Sequence, residues 1–508
     1  MSVNSLARAR AIQSAEPAIP SRWRSLEMVV GLISFGLVTL PVWASLISPA
    51  ATALFVCFFS LYWLHSSVRF ALNALLGIRR LGQACRRDWA AEAVRQPGFE
   101  RLWHLVLIPT YREPEAVLTA TLDHLVAQDF PRERLIVVLA FEARDAGAPD
   151  RWRALEAAYQ GRFGRLWATF HPDIPGEVKG KASNETWAAR WATDRLEREV
   201  GCALDDVVLT TCDADSHFHP SYFSALTRLY LNNPDRRFTI YQSAMLFYSN
   251  LWRLPLPQAA LTALQSLWQL SRMVPAHRLI NQSTYSLSLR SCREVGYWDR
   301  TVIPEDSHMF FQMYFHFGSR VRVDPIFLPL LADGAEGRNW LGSCRALYEQ
   351  EKRWAWGVAD IPFVLVGIRN GRGSRWWSRL FRCWPFVEEH LLWPANWFLL
   401  ALGTRLPERL ARANDRPLVD LAIDVAHVAL TLSTLPLAVC AVAHYALVAG
   451  APGQTHTRRV LTLAGWLLLP IESFVFVSLP AIEAHLRLLL GRRLEYRVTE
   501  KIAPEVGA

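Results

Sequence analysis

The sequence holds no C-x-x-C pair, and its eight cysteines (57, 85, 202, 212, 292, 344, 383 and 440) are scattered singly. That spacing excludes a zinc site and a disulfide framework, and it marks the polar middle of the chain as reducing and intracellular. Lysine is scarce, occurring only at Lys179, Lys181, Lys352 and Lys501 within a Lys plus Arg total of 55. The net charge of +9 therefore rests on arginines, which are spread along the chain and gather beside apolar segments instead of forming one basic patch. Nucleic acid is not an expected partner; an anionic membrane surface is. There is no internal repeat and no low-complexity linker, and the middle of the chain has no apolar run long enough to cross a bilayer.

What is present is apolar at both ends. Hydrophobic residues make up 51% of the 508 positions, with 21 Trp. Met28 to Ile47 and Ala51 to Leu76 read as two membrane-crossing helices joined by a tight turn at Ser48-Pro49-Ala50. A signal peptide would have a shorter apolar core and a small-residue cleavage site. Arg8, Arg10, Arg22 and Arg24 before the pair, and Arg79, Arg80, Arg86 and Arg87 after it, put both flanks in the cytoplasm. Leu418 to Val448 and Val460 to Ile482 are long enough to cross again, with the loop Ala449 to Thr457 carrying no Lys or Arg and a basic tail, Arg487, Arg492, Arg493 and Arg497, behind. Trp384 to Leu402 is broken by Pro385, Glu388, Glu389, His390 and Pro394, which suits an interfacial or re-entrant segment better than a fifth crossing. The expected division is a cytoplasmic segment 1–26, two crossings in 27–80, a polar domain 81–357, interfacial helices 358–416, two crossings in 417–483 and a cytoplasmic tail 484–508.

Between residues 100 and 357 short apolar runs alternate with helical periodicity, as in an α/β domain. Strands are expected at Leu105–Ile108, Leu135–Phe141, Leu166–Phe170 and Val207–Thr211, with helices at Glu115–Ala127 and Ala182–Val200. A parallel sheet of this kind binds ligands beyond the carboxyl ends of its strands. Four polar clusters stand out, the first of them at such an end. Asp213-Ala214-Asp215 closes the fourth strand, and two acids so close need a cation between them; oxygen ligands suit Mg²⁺ or Mn²⁺ bound together with substrate phosphates. Such pairs also occur in plain surface turns. Lys179-Gly180-Lys181 opens a helix and offers positive charge to a diphosphate, although a solvated capping loop has the same composition. Glu305-Asp306 opens another helix, where a carboxylate can take a proton from a reacting hydroxyl, and where acids are favoured in any case by the helix dipole. Gln350-Glu351-Lys352-Arg353-Trp354 offers an amide, a guanidinium and an aromatic plate, a set that binds sugars and that also recurs in interfacial helices.

Taken in order, these stretches resemble the membrane-embedded family 2 glycosyltransferases, a group that includes cellulose and hyaluronan synthases. Ile108-Pro109-Thr110-Tyr111-Arg112-Glu113 resembles the opening nucleotide-binding strand and turn, Asp213-Ala214-Asp215 the D-x-D motif, and Glu305-Asp306 the acidic pair with the catalytic base. Residues 350–354 fit Q-x-x-R-W at every specified position. Val295-Gly296-Tyr297-Trp298-Asp299 is similar to the segment that precedes the base, and Tyr496-Arg497-Val498-Thr499-Glu500-Lys501 to a cytoplasmic V-T-x-K element. The chain departs from the pattern at Glu142, where an aspartate is usual, and at Ser283-Thr284-Tyr285-Ser286-Leu287-Ser288, which replaces a glycine-rich acceptor segment.

The resemblance implies an α/β GT-A (Rossmann-like) cytoplasmic domain with flanking transmembrane α-helices, in a multi-pass protein of the bacterial inner membrane. It implies inverting transfer of a sugar from a nucleotide-diphosphate donor to a growing polysaccharide, with a lipid-linked sugar as the alternative acceptor, and membrane lipids as neighbours. Asp306 would be the base, and Asp213 and Asp215 would hold Mg²⁺ or Mn²⁺. Pro109, Tyr111, Glu113, Glu142, Lys181, Asp213 and Arg353 would bind the donor; Glu305, Gln350 and Trp354 would bind the acceptor. A membrane subunit that binds sugar nucleotide without turnover is a further alternative.

Overall fold

The computed structural model describes residues 21–448 and 455–494. Tyr496 to Lys501, Arg8, Arg10 and most of the 449–457 loop lie outside the described residues.

The middle of the chain builds one eight-stranded sheet in the order β3-β2-β1-β4-β7-β6-β8-β5. Its strands are β1 (Trp103–Thr110), β2 (Leu135–Glu142), β3 (Arg165–His171), β4 (Val207–Thr211), β5 (His217–Phe218), β6 (Thr239–Leu246), β7 (Tyr285–Ser288) and β8 (Arg322–Leu331). Every residue of β2 is buried, as expected for a strand covered on both faces. Alternation sorts the side chains: Leu105, Leu107, Ile136 and Val138 enter one core, while Val106, Ile108, Val137 and Leu139 enter the core on the opposite face. The first core is covered by the helix Lys181–Arg195, and the second by Glu115–Val126 and Tyr222–Leu231.

The expected strands and helices are present, but the sheet is mixed, not parallel throughout. β3, β2, β1 and β4 run parallel, whereas β7 is antiparallel to both β4 and β6. β7 is only four residues long and is reached from β6 through the helix Leu256–Met273. Its entry places residues 281–284 at the end of β4, beside the acidic turn.

Four helices are long and apolar enough to cross a membrane: Trp23–Ile47, Pro49–Ala84, Arg416–Leu447 and His456–Leu490. Ser48 caps the second, its hydroxyl accepting from Ala51 N at 3.2 Å, and Pro49 sits at the first helical position. The third bends after Leu432, and the fourth contains a π-helical stretch at Ser473–Ser478. Exposed Leu46, Phe58, Val442 and Leu467 line their outer faces. The 384–402 stretch is divided between the helices Trp376–Leu392 and Asn396–Ala401 and does not form a long apolar helix. Where the bundle meets the core of the sheet domain, Arg24 donates to the carbonyl of Leu488 at 2.6 Å and to that of Leu489. The start of the first apolar helix thus meets the end of the fourth. The bundle joins the sheet domain closely. At Gly77 on the second helix, a Cβ would lie 2.6 Å from Leu270 Cγ of the helix Leu256–Met273.

Candidate active site

The two acids of the D-x-D turn stand in different surroundings. Cys212 N still bonds Leu107 O as strand β4 ends, and the chain then turns, with Ser216 N bonding Asp213 O. Asp215 points inward, is buried, and accepts at Oδ2 from Asp333 N at 2.9 Å, just beyond β8. Asp213 keeps 40% of its side chain exposed. Its Oδ1 lies 2.9 Å from Lys181 Nζ, and its Oδ2 accepts from the Ser283 hydroxyl.

Lys181 opens the helix Lys181–Arg195 and is buried among carboxylates. Besides Asp213, its ammonium lies 3.2 Å from Glu305 and 3.9 Å from Glu185, and it donates to Ser283 O at 3.2 Å. Burial opposes its charge, but the three carboxylates win and hold its pKa well above the ordinary range. This departs from the expectation of a lysine turned to a diphosphate: the ammonium is engaged by the site's own acids. Lys179, two residues earlier, is exposed and pairs with Asp173 at 2.6 Å. Glu185 accepts from the Thr211 hydroxyl and is fully buried, which raises its pKa strongly.

The other acidic pair arrives from the helix Glu305–Phe317. Asp306 Oδ2 accepts from Ser283 N at 2.8 Å, its Oδ1 from Ser307 N at 2.7 Å, and its carbonyl from Asn281 Nδ2 at 2.7 Å. Burial raises the Asp306 pKa despite those two N–H donors. Burial also lifts Glu305 to about 7, against the pull of Lys181. His308 is not aimed at this cluster. Its Nδ1 lies 3.0 Å from Asp360, its ring stacks on Phe363, and Asp360 keeps its pKa raised although burial opposes the charge.

At the mouth of β1, Pro109 pairs with Ala140 of β2 beyond the last residue of β4, so its missing N–H costs no ladder bond on that side. Tyr111 carries the Arg144 guanidinium over its ring, 3.9 Å from the centroid, and Arg144 also pairs with Glu142 at the end of β2. Glu113 serves its own turn, accepting from Thr110 Oγ1 at 2.6 Å and from Tyr111 N. The backbone of Arg112 is left-handed there (φ 66°), and its N–H donates to Asp145 at 2.8 Å. Glu142, Arg144, His171, Asp173, Glu177 and Lys179 line an adjoining cleft.

The helix Trp340–Ala355 brings Gln350, Arg353 and Trp354. Gln350 is buried, and the Trp354 ring packs on Phe247, 5.7 Å between centroids. Phe247 follows β6, whose last residue, Leu246, bonds Ala332 N; Asp333 N then holds Asp215. The aromatic plate and the D-x-D turn are therefore joined by a short run of strand ends. The two unspecified residues of Q-x-x-R-W anchor the helix. Glu351 accepts from Gln265, and Lys352 lies 2.9 Å from Glu349 and 3.1 Å from Glu483 of the last apolar helix.

Two groups in this site carry no motif signature, Arg144 and the Asp333 N–H, and Ser283 opens the segment that replaces a glycine-rich one. Glu185 was accessible from sequence, because it lies one helical turn from Lys181.

Among the described residues no three His, Cys, Asp or Glu side chains converge as a metal cage. Asp213 and Asp215 offer oxygen only, one partly exposed and one buried. This set fits an ion that takes its other ligands from substrate phosphates and water, as Mg²⁺ and Mn²⁺ do, and not a resident ion held by protein alone.

No known sequence family and no curated protein matches the chain. Among solved structures, it is similar to a mannosyltransferase from Pyrobaculum calidifontis in complex with GDP-Man and Mn²⁺, at 16% identity over 79% of this chain and 99% of that one, with a TM-score of 0.39. It is also similar to residues 1–349 of S. aureus TarS in complex with UDP-GlcNAc, at 14% identity over 65% and 91% of the two chains, with a TM-score of 0.33. Likenesses this distant carry no functional conclusion for this chain.

Proposed function

We propose that this protein is an inverting glycosyltransferase, moving a sugar from a nucleotide-diphosphate donor to an acceptor hydroxyl at the cytoplasmic face of a membrane. The reading rests on one observation above the others. Asp213 and Asp306, distant in sequence, are both bonded by Ser283, and Lys181 bridges Asp213 to Glu305. Two carboxylates suited to a leaving-group site and to a base are thereby tied to one residue, which supports the reading of a single displacement.

Asp306 takes the proton of the acceptor hydroxyl as it attacks the anomeric carbon. Its raised pKa makes it a stronger base than an ordinary aspartate, and its two backbone donors hold the carboxylate still. Asp213 and Asp215 would hold Mg²⁺ or Mn²⁺, which would neutralise charge on the departing diphosphate. Tyr111, with Arg144 and Glu142, lies where the nucleoside would sit at the ends of β1 and β2. Lys181 keeps the cluster of acids from repelling one another before the donor arrives, and Arg353 adds positive charge on the helix that carries Trp354 and Gln350. Those two would hold the acceptor, by ring face and amide. The acceptor is a growing polysaccharide or a lipid-linked sugar, and exposed Trp340 and Leu341 at the start of that helix favour one delivered from the bilayer side.

The test uses membranes and purified protein with a panel of labelled nucleotide sugars, followed by asking whether product is lipid-extractable or polymeric. Asp306→Asn should abolish transfer and leave donor binding intact. Retained turnover would remove the base assignment, and donor binding without any turnover in the wild type would favour a non-catalytic subunit.

A further inference from the structure

Ser283 stands on the segment that enters β7 and touches three charged groups with its three polar atoms. Its N–H donates to Asp306 Oδ2 at 2.8 Å, its hydroxyl donates to Asp213 Oδ2, and its carbonyl accepts from Lys181 Nζ at 3.2 Å. Its φ is +49°, a left-handed conformation that costs any residue with a Cβ and that glycine adopts freely. A glycine here would supply the same N–H and the same carbonyl at lower conformational cost. Only the hydroxyl would be lost, so the strain is tied to one bond, the one to Asp213.

Two further facts give that bond weight. Asp213 is the more exposed acid of the D-x-D turn, so hydrogen bonds and not packing set its direction: Lys181 at Oδ1 and Ser283 at Oδ2. Ser283 itself is held on both sides by β6. Gln242 Oε1 accepts from Gln282 N at 2.7 Å, Gln242 Nε2 donates to the carbonyls of Gln282 and Thr284, and Ser243 Oγ donates to Thr284 O at 2.8 Å. The serine is therefore a fixed point, and both carboxylates are referred to it.

We propose that Ser283 is a positioning residue whose hydroxyl presents Asp213 to a cation-loaded nucleoside diphosphate, while its backbone N–H sets Asp306 in the same frame. The inference rests on the transferase reading above. It assigns the two atoms different duties: the hydroxyl governs donor affinity, and the N–H governs the base.

The experiment uses the full chain in detergent, with UDP and GDP as probes. Calorimetry with and without Mn²⁺ reads nucleotide binding, electron paramagnetic resonance reads free Mn²⁺, and nucleotide-sugar hydrolysis reads turnover. Ser283→Ala should weaken Mn²⁺-dependent binding about tenfold, the loss expected for one hydrogen bond to a charged group. Turnover at saturating donor and Mn²⁺ should stay within about threefold of wild type, because the N–H remains. Ser283→Gly should show the same binding loss with an equal or higher melting temperature, and it stands in if the alanine variant does not fold. In an Asp213→Asn background, Ser283→Ala should add less than about a twofold effect. Unchanged binding in Ser283→Ala, an undiminished loss in the Asp213→Asn background, or saturated turnover falling as far as binding would each overturn the role of Ser283 alone. A wild type that binds neither nucleotide with Mn²⁺ would instead sink the transferase reading, and this inference with it.

Discussion

Lys352 Nζ lies 3.1 Å from Glu483 Oε1, so the helix that carries Gln350, Arg353 and Trp354 is fastened to the last apolar helix. Lys352 is buried, and Glu483 keeps Tyr348 at 3.0 Å and Arg487 at 2.9 Å as further partners. Lys352→Met should therefore lower stability by on the order of 1–3 kcal/mol and leave Glu483 paired. Acceptor-dependent transfer should fall several-fold more than donor hydrolysis, because both proposed acceptor residues, Gln350 and Trp354, stand on this helix and Arg353 alone of the proposed donor residues does. Equal losses in both assays would mean that the ion pair only holds the fold together.

The pH dependence of stability follows from Glu305. Its pKa is about 7 in the folded chain against an ordinary 4.5, so the folded state holds a proton that the unfolded state has released. The stabilisation from that proton is complete below about pH 4.5 and is lost as pH rises through 7. Glu305→Gln mimics the protonated form; it should melt like wild type at pH 5 and higher than wild type at pH 8, by on the order of 3 kcal/mol. Thermal unfolding in detergent at the two pH values checks this, and a gap of equal size at both would refute it.

Activity should show the opposite sign at its acid limb. The proposed base, Asp306, would act only when ionised, and its raised pKa should move the loss of turnover to a higher pH than an ordinary carboxylate would. Ser307→Pro removes one of the two N–H donors to that carboxylate, so the acid limb should move further up in pH. A pH–rate profile of donor-saturated enzyme reads both.

The proposed function gives Trp354 and Arg144 to different substrates. Trp354→Ala should raise the acceptor KM about tenfold and leave donor affinity near wild type, because its ring packs on Phe247 after β6, which β4 and β7 separate from β1 and β2, beyond which Tyr111 and Arg144 lie. Arg144→Ala should weaken nucleotide binding about fivefold, through loss of the cation over Tyr111 and of the partner to Glu142. Reversed effects would exchange the two sub-sites.

How far the sequence reached depended on the range of each interaction. The strands at 103–110, 135–142 and 207–211 were readable because burial on both faces writes a continuous apolar run, and the four apolar helices because length alone marks them. β5, β6, β7 and β8 were not read: β6 is buried throughout yet carries Thr239, Gln242 and Ser243, so its burial writes no continuous apolar run, and β5 and β7 are only two and four residues long. The chemistry of Lys181 was legible and its partners were not. A lysine before a helix reads as an anion site, and only the fold reveals that Asp213, Glu305 and Glu185 already occupy it. Ser283 was legible only as the start of a segment that departs from a glycine-rich pattern; its contacts were not, because they depend on a backbone angle and on two acids far away in the chain.

The clasp of Arg24 on the carbonyls of Leu488 and Leu489 brings the outset of the first apolar helix and the close of the last to one doorway. Two halves of a split fluorescent protein, one fused ahead of residue 21 and the other after residue 494, would be delivered to a single compartment and would reassemble within each polypeptide, whichever compartment that proves to be.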